Sequence, residues 1–203
     1  SRLLKVHFEK REKAELNFFS KTAGHEAKLN INKIKFIKED DITNGNLYKL
    51  MKNDFKSDIL ISYGPSKIVS KEILDLVKLY KWNIHGGLSP WYRGTACLFW
   101  PTYLLEPEFT GVTFHEMSNM PDAGNIIHQT NLKINAKDGI HENASRAIKE
   151  FSDSITSLLV KKLEKNLNLK GIPQHTYGRN WTAKMWNPLT LKVIYELFDD
   201  RIN

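Results

Sequence analysis

Apolar residues recur along this chain at two spacings, and the switching between them predicts the order of its elements. Leu4, Phe8, Leu16 and Phe19 lie at loosely helical intervals, which predicts a helix over residues 1–20. Ile31, Ile34, Phe36 and Ile37 form a short strand-like stretch, after which Leu47, Leu50, Met51 and Phe55 return to the helical period. Ile59-Leu60-Ile61 is a compact apolar run stopped by Tyr63-Gly64-Pro65, the pattern of a fully buried parallel strand and its turn. Ser70 is placed to cap a helix with Ile73, Leu74, Val77 and Tyr80 on its buried face. Trp82 to His85 is a second short strand ending at Gly86-Gly87, and residues 110–117 (TGVTFHEM) and 126–130 (IIHQT) alternate as a third and a fourth. Ala144, Ala147, Ile148, Phe151, Ile155, Leu158, Leu159 and Leu163 mark one long amphipathic helix. Leu189 to Phe198 reads as a closing helix entered through Pro188.

Strands alternating with helices in this order predict an α/β layer structure with a mainly parallel sheet. No repeat, low-complexity tract or Ser/Gly-rich linker divides the 203 residues, so one domain is expected, with a helical C-terminal extension from about Gly139. A doubly wound domain opens with a strand and a phosphate-binding turn, whereas this chain opens with a helix and has no G-x-G-x-x-G fingerprint.

Composition narrows the class. Hydrophobic residues at 41% and 22 aromatic side chains exclude a disordered tail. No run approaches the roughly 18 apolar residues of a membrane helix, and the polar opening SRLLKVHFEKREKAE predicts no secretory signal. The single cysteine, Cys97, excludes an internal disulfide framework and a cysteine zinc cage, so a cytoplasmic, reducing setting is expected. A net charge of +7 favours phosphate-bearing partners without choosing among them, because the basic residues are dispersed. His115, His128, His141 and His175 fall on different elements without ligand spacing, and no metal is expected. His115 reads as a strand surface residue and Cys97 as a small buried hydrophobe. Trp181, Trp186 and Tyr177 read as aromatics that pack the tail onto the sheet. No basic stripe interleaves them, so no nucleic-acid surface is expected.

The chemistry concentrates in residues 82–130. Asn83 and His85 are two apart on a strand and project to one face, at the carboxyl end where open α/β sheets place ligands. Gly86 and Gly87 follow and permit close approach of a ligand or neighbouring backbone. Asp122 sits in a second turn, Pro121-Asp122-Ala123-Gly124. A histidine that takes a proton, an amide that donates to an oxyanion and a carboxylate that orients the imidazole suit acyl transfer to an amine. Each also has a plainer reading, the histidine as a satisfied polar residue and the aspartate as a turn former.

The wider segment resembles the formyltransferases that use 10-formyltetrahydrofolate, a family that includes phosphoribosylglycinamide, methionyl-tRNA and sugar N-formyltransferases. The elements that carry the resemblance are Asn83-Ile84-His85, the loop Gly86-Gly87-Leu88-Ser89-Pro90, Arg93-Gly94, Gly111-Val112-Thr113 and Asp122-Ala123-Gly124 before Ile126-Ile127. The resemblance implies a Rossmann-like catalytic domain over residues 1–138 and a helical extension over 139–203 packed on it. The family's opening strand and helix have no counterpart, so roughly 30–60 residues, the size of a βαβ unit, would be missing. It further implies that His85 is the general base, Asn83 the oxyanion donor, and Asp122 the group that holds and polarises His85. Tyr63, Gly64, Pro65, Met120, Pro121, Ala123 and Gly124 would contact the folate. Gly86, Gly87, Ser89 and Arg93 would contact the acceptor, with a structural tie for the loop as the alternative role of Arg93. The loop HGGLSPWYRG points to an amino sugar carried on a nucleoside diphosphate, as in surface polysaccharide pathways. Glycinamide ribonucleotide formylation, formyltetrahydrofolate hydrolysis, or folate or partner binding without turnover are the alternatives. No membrane partner is expected, and a homodimer is left open.

Overall fold

The structure is a computed structural model that describes residues 2–20, 35–165, 169–176 and 178–201. Strands β1 (Ile59–Tyr63), β2 (Tyr80–His85), β4 (Gly111–Glu116) and β5 (Ile126–Asn131) form one sheet in the order β1-β2-β4-β5. A small second sheet pairs β3 (Tyr92–Gly94) with β6 (Arg179–Trp181) in parallel. The helices are α1 (Arg2–Phe19), α2 (Asn46–Asn53), α3 (Lys71–Asp75), α4 (Trp100–Tyr103), α5 (Ile140–Glu164) and α6 (Thr190–Lys192), which continues as a π-helix over Val193–Leu197.

The expected α/β layering is present, but the sheet is mixed rather than mainly parallel. Within this sheet, among the described residues, only β1 and β2 run parallel, while β4 is antiparallel to both β2 and β5. The cause is local. The connection 117–125 between β4 and β5 is shorter than the dozen or more residues a parallel crossover needs. The expected fully buried strand at 59–61 is instead β1, at the edge of the sheet among the described residues, with Ile61 and Tyr63 exposed. Ser70 stands at the N-cap of α3 without a side-chain capping bond, and Tyr80 belongs to β2 rather than to the helix. Ile31 and Ile34 of the expected early strand, and Tyr177, lie outside the described residues; Phe36 and Ile37 are in irregular structure.

Helix α5 closes the main core from one side. Ala147, Phe151 and Ile155 recur at helical spacing and meet Trp82 of β2 and Val112 and Phe114 of β4, all buried. Its first turn is capped from a distance, since the Asp200 carboxylate accepts the Ile140 N–H at 3.1 Å at the positive end of the helix dipole. The segment from Gly139 therefore shares a core with the strands before it, and it contributes β6 as well as helices. A second core joins Tyr92, Phe99 and Trp100 to Leu191 and Ile194 near the end of the chain. Helix α1 buries His7 and Ala14, and leaves Phe8 and Leu16 exposed. The helix expected over residues 1–20 is present, and on its inward face His7 finds a polar partner in the Tyr195 hydroxyl.

Candidate active site

Strand β2 ends with Asn83 and His85 side by side on one face, each about 7% exposed. The antiparallel register sets His115 of β4 opposite Asn83 and Thr113 opposite His85. Thr113 ties down the following loop: its hydroxyl donates to the Gly87 carbonyl at 2.7 Å and accepts the Ser89 N–H at 3.0 Å. That gives the threonine of the Gly111-Val112-Thr113 run a definite task. Gly87 is required by space, since a Cβ there would sit 2.6 Å from His85 Nε2 and 2.8 Å from the Tyr92 carbonyl.

Asp122 is the hub. Its Oδ1 accepts from Asn83 Nδ2 at 3.2 Å and lies 3.4 Å from His115 Nε2; its Oδ2 accepts the Gly94 N–H at 2.8 Å and lies 3.3 Å from His85 Nδ1. Burial alone would raise the Asp122 pKa, but the His115 and His85 rings beside it and the Gly94 amide together hold it below its usual range. The residue adopts φ +48°, a left-handed conformation uncommon outside glycine. Gly124 lets the turn press onto β4, where a Cβ would fall 1.7 Å from the Glu116 carbonyl.

His85 is held at both nitrogens. The Tyr92 carbonyl, 2.8 Å from Nε2, can only accept, so Nε2 carries the hydrogen of the neutral ring. Nδ1 is then the basic atom, facing Asp122. Burial lowers the His85 pKa, against the opposing pull of Asp122 and the Tyr92 carbonyl. By the same reasoning His115 donates from Nδ1 to the Glu116 carbonyl at 2.7 Å, and its Nε2 accepts from Asn83 Nδ2 at 3.2 Å. Both hydrogens of the Asn83 amide are thus directed at Asp122 and His115, and its Oδ1 is buried without a hydrogen-bond partner among the described residues.

This cluster opens on a cavity of about 660 Å³. Of the residues expected from sequence, Asn83, His85, Asp122, Tyr63, Gly64, Pro65, Met120, Pro121 and Gly86 line it. Gly87, Ser89, Arg93, Ala123 and Gly124 do not. Ser89 is fully buried and donates to the Asp122 carbonyl at 3.2 Å, and Arg93 is 8% exposed on β3. Cys97 borders the cavity with its thiol pKa pushed up by burial, which removes it as a nucleophile at neutral pH. Sequence reasoning placed His115 on the strand surface, yet it is 2% exposed and joins the hub. It also passed over Gly94, whose amide holds Asp122; the signal was the Arg-Gly pair, read for its arginine. Among the described residues no group of His, Cys, Asp and Glu could hold a metal ion, and no helix is long and apolar enough to cross a membrane.

Residues 21–159 match the family model described as Formyl transferase. Methionyl-tRNA formyltransferase of Prochlorococcus marinus (strain MIT 9312) is 35% identical over 139 residues, which are 66% of this chain and 42% of that relative. The chain thus spans under half the length of this curated relative. A solved 4-N formyltransferase from Francisella tularensis has a TM-score of 0.61 at 19% identity, covering 82% of this chain and 63% of that one. Formyltransferase PseJ from Anoxybacillus kamchatkensis, solved with UDP-4,6-dideoxy-4-formamido-L-AltNAc and tetrahydrofolate, has a TM-score of 0.56 at 24% identity, over 71% and 74% of the two chains. The two structures share the fold, and the match over most of its length makes this chain a member of the formyl transferase family.

Proposed function

We propose that this chain carries the formyl-transfer centre of a folate-dependent N-formyltransferase, moving a formyl group from 10-formyltetrahydrofolate to an amine. The observation that carries the reading is the Asp122 carboxylate joined to both Asn83 and His85 at the carboxyl end of β2, facing the cavity. The acceptor amine attacks the formyl carbon and a C–N bond forms. His85 takes the amine proton at Nδ1, where Asp122 stabilises the imidazolium. The bond from Asn83 Nδ2 to His115 yields to the oxyanion, a stronger acceptor than a neutral ring nitrogen. Collapse breaks the bond from carbon to the folate nitrogen, which receives the proton from His85.

A cavity of about 660 Å³ is of the size that holds one cofactor-sized molecule. Tyr63, Gly64 and Pro65 after β1 and Met120 and Pro121 before Asp122 are the wall assigned to the folate. Ala123 and Gly124 shape that wall from behind. Gly86 is assigned to the acceptor side, with Gly87, Ser89 and Arg93 shaping its loop.

For the acceptor we favour a nucleotide-linked amino sugar, supported by the loop 85–94 and by the sugar nucleotide named with PseJ. Methionyl-tRNA is the second reading, favoured by the 35% identity to a methionyl-tRNA formyltransferase. Mass spectrometry tests both, using 10-formyltetrahydrofolate with UDP- and dTDP-linked 3- and 4-amino sugars, glycinamide ribonucleotide, methionyl-tRNA or no acceptor. One formyl group gained by a sugar nucleotide is the expected result. Formylated methionyl-tRNA would replace the sugar reading, and formate released without acceptor would make the protein a hydrolase. Donor binding without transfer or hydrolysis would overturn the catalytic reading.

A further inference from the structure

Residues 169–176 and 178–181, beyond the 21–159 family match, form a strap across both turns of the candidate site. Its near end is fixed by a two-bond bridge, Ile126 N–H to the Ile172 carbonyl at 2.8 Å and Ile172 N–H to the Ile126 carbonyl at 2.7 Å. Gly171 lies against Asn125 so closely that a Cβ would fall 2.6 Å from it. At the far end β6 pairs with β3, Gly178 presses on the Pro90 carbonyl, and Trp181 stacks on Trp100 with ring centroids 4.3 Å apart. Between these anchors Gln174 reaches the Asp122 turn. Its Nε2 donates to the Asp122 carbonyl at 2.9 Å and to the Gly124 carbonyl at 2.7 Å.

We infer that Gln174 is a positioning residue for the formyl-transfer centre, clamping the left-handed Asp122 turn so that its carboxylate stays on His85; the inference rests on the reading of that centre given above. Two carbonyls that only accept can be bridged by one side chain only if it offers two hydrogens from one atom, which an amide NH₂ does. The conformation being clamped needs such support, because a non-glycine residue at φ +48° persists only where its surroundings over-determine it. Besides Gln174, the turn's backbone takes a hydrogen bond from Ser89 Oγ at the same Asp122 carbonyl, 3.2 Å, and gives one from Ala123 N–H to the Met120 carbonyl at 3.4 Å, while Asn83 and Gly94 hold only the Asp122 carboxylate. Gln174 leaves its own Oε1 buried without a hydrogen-bond partner among the described residues, where the amide is oriented by the two carbonyls. The strap also sets Gly94 by pairing it with Trp181, and a Cβ at Gly94 would fall 2.1 Å from the Trp181 carbonyl. Both contacts to Asp122, through its backbone and through its carboxylate, trace back to the one segment.

The test compares the full chain with Gln174→Met, which keeps the length and removes both donors, and with Gln174→Glu, which keeps the shape and turns a carboxylate on the two carbonyls. Histidine ring titrations by NMR and formyl transfer against pH are read together. In Gln174→Met the His85 midpoint is expected to move down, because Asp122 no longer stays beside it; in Gln174→Glu the added carboxylate opposes that shift, and the loss is read from the rate. The transfer rate falls by up to about 100-fold with the donor KM little changed, and Gln174→Glu is the worse of the two. If both variants fold and keep the His85 midpoint and the rate profile, the inference is overturned. If the unaltered chain shows no transfer to any acceptor, the functional reading fails, while the titration still decides whether Gln174 holds Asp122 on His85.

Discussion

Among the described residues two pairs of histidines are buried, and they differ in a shared partner. His85 and His115 share the Asp122 carboxylate; His7 of α1 and His141 of α5 share the Tyr195 hydroxyl, at 2.9 and 3.2 Å. The second pair is nearly as well buried as the first, with each residue 8% exposed and ring centroids 4.4 Å apart. Its charged neighbours include cations: Lys10 and Arg11 add to burial and pull the His141 pKa down to about 3, and His7 is lowered too. These rings stay neutral and serve as polar packing between α1, α5 and the end of the chain. At the first pair the carboxylate opposes burial, so a proton arriving on His85 meets a compensating charge. Burial lowers His85, His7 and His141 alike, and at the first pair the Asp122 carboxylate opposes it from 3.3 Å.

The comparison breaks most directly if the carboxylate is removed. Asp122→Asn keeps the shape and is expected to lower formyl transfer on the order of 10²- to 10⁴-fold, the range of general acid–base assistance; single-turnover rates beside thermal unfolding check that the loss is chemical. Asn83→Ala follows at about 100-fold, the usual effect of losing one oxyanion donor. A rate near that of the unaltered chain would remove Asn83 from the mechanism. Tyr195→Phe is the mirror experiment at the other pair. It should cost about 1 kcal/mol of stability in chemical denaturation and leave transfer unchanged.

Acid acts on both pairs, because His85 is lowered by burial as His7 and His141 are. A histidine whose folded pKa is depressed contributes full stability above its ordinary 6.5 and loses it as pH falls toward the folded value. The His7–His141 pair should therefore destabilise the fold progressively from pH 6.5 toward about 3. Asp122, held below 3.8, contributes stability that is lost only below that value. Unfolding measured against pH should show the first limb, and His141→Phe should flatten it.

Much of the first pair was legible in sequence, and the second was not. Asn83, His85 and Asp122 stood out because a period-two strand end and a D-x-G turn are local patterns that fix direction and place. His115 was misjudged because alternation along β4 implied one solvated face, whereas the strand is covered on both, by α5 and by the Asp122 turn. The antiparallel direction of β4 and β5 could have been read from their short connection. His7, His141 and Gln174 were out of reach. Their partners lie 134 residues away across α1 and α5, and 52 residues away across the strap. No spacing within a segment encodes such a contact.

The smallest expected effect sharpens the contrast by its sign. Arg11 and Glu15 form an exposed pair one turn apart on α1, at 2.7 Å, and such pairs contribute about 0.3–0.5 kcal/mol. Arg11→Gln should therefore weaken the fold slightly at pH 7. Arg11 also lowers the pKa of both His7 and His141. Its removal lets both rise toward 6.5, so less stability is lost on acidification. Denaturation midpoints of variant and unaltered chain should converge or cross between pH 6 and 4, while the pH dependence set by His85 stays in place. Parallel curves with a constant offset would show that the second pair is not governed by its surrounding cations, and the explanation of why it is inert would have to be sought in burial alone.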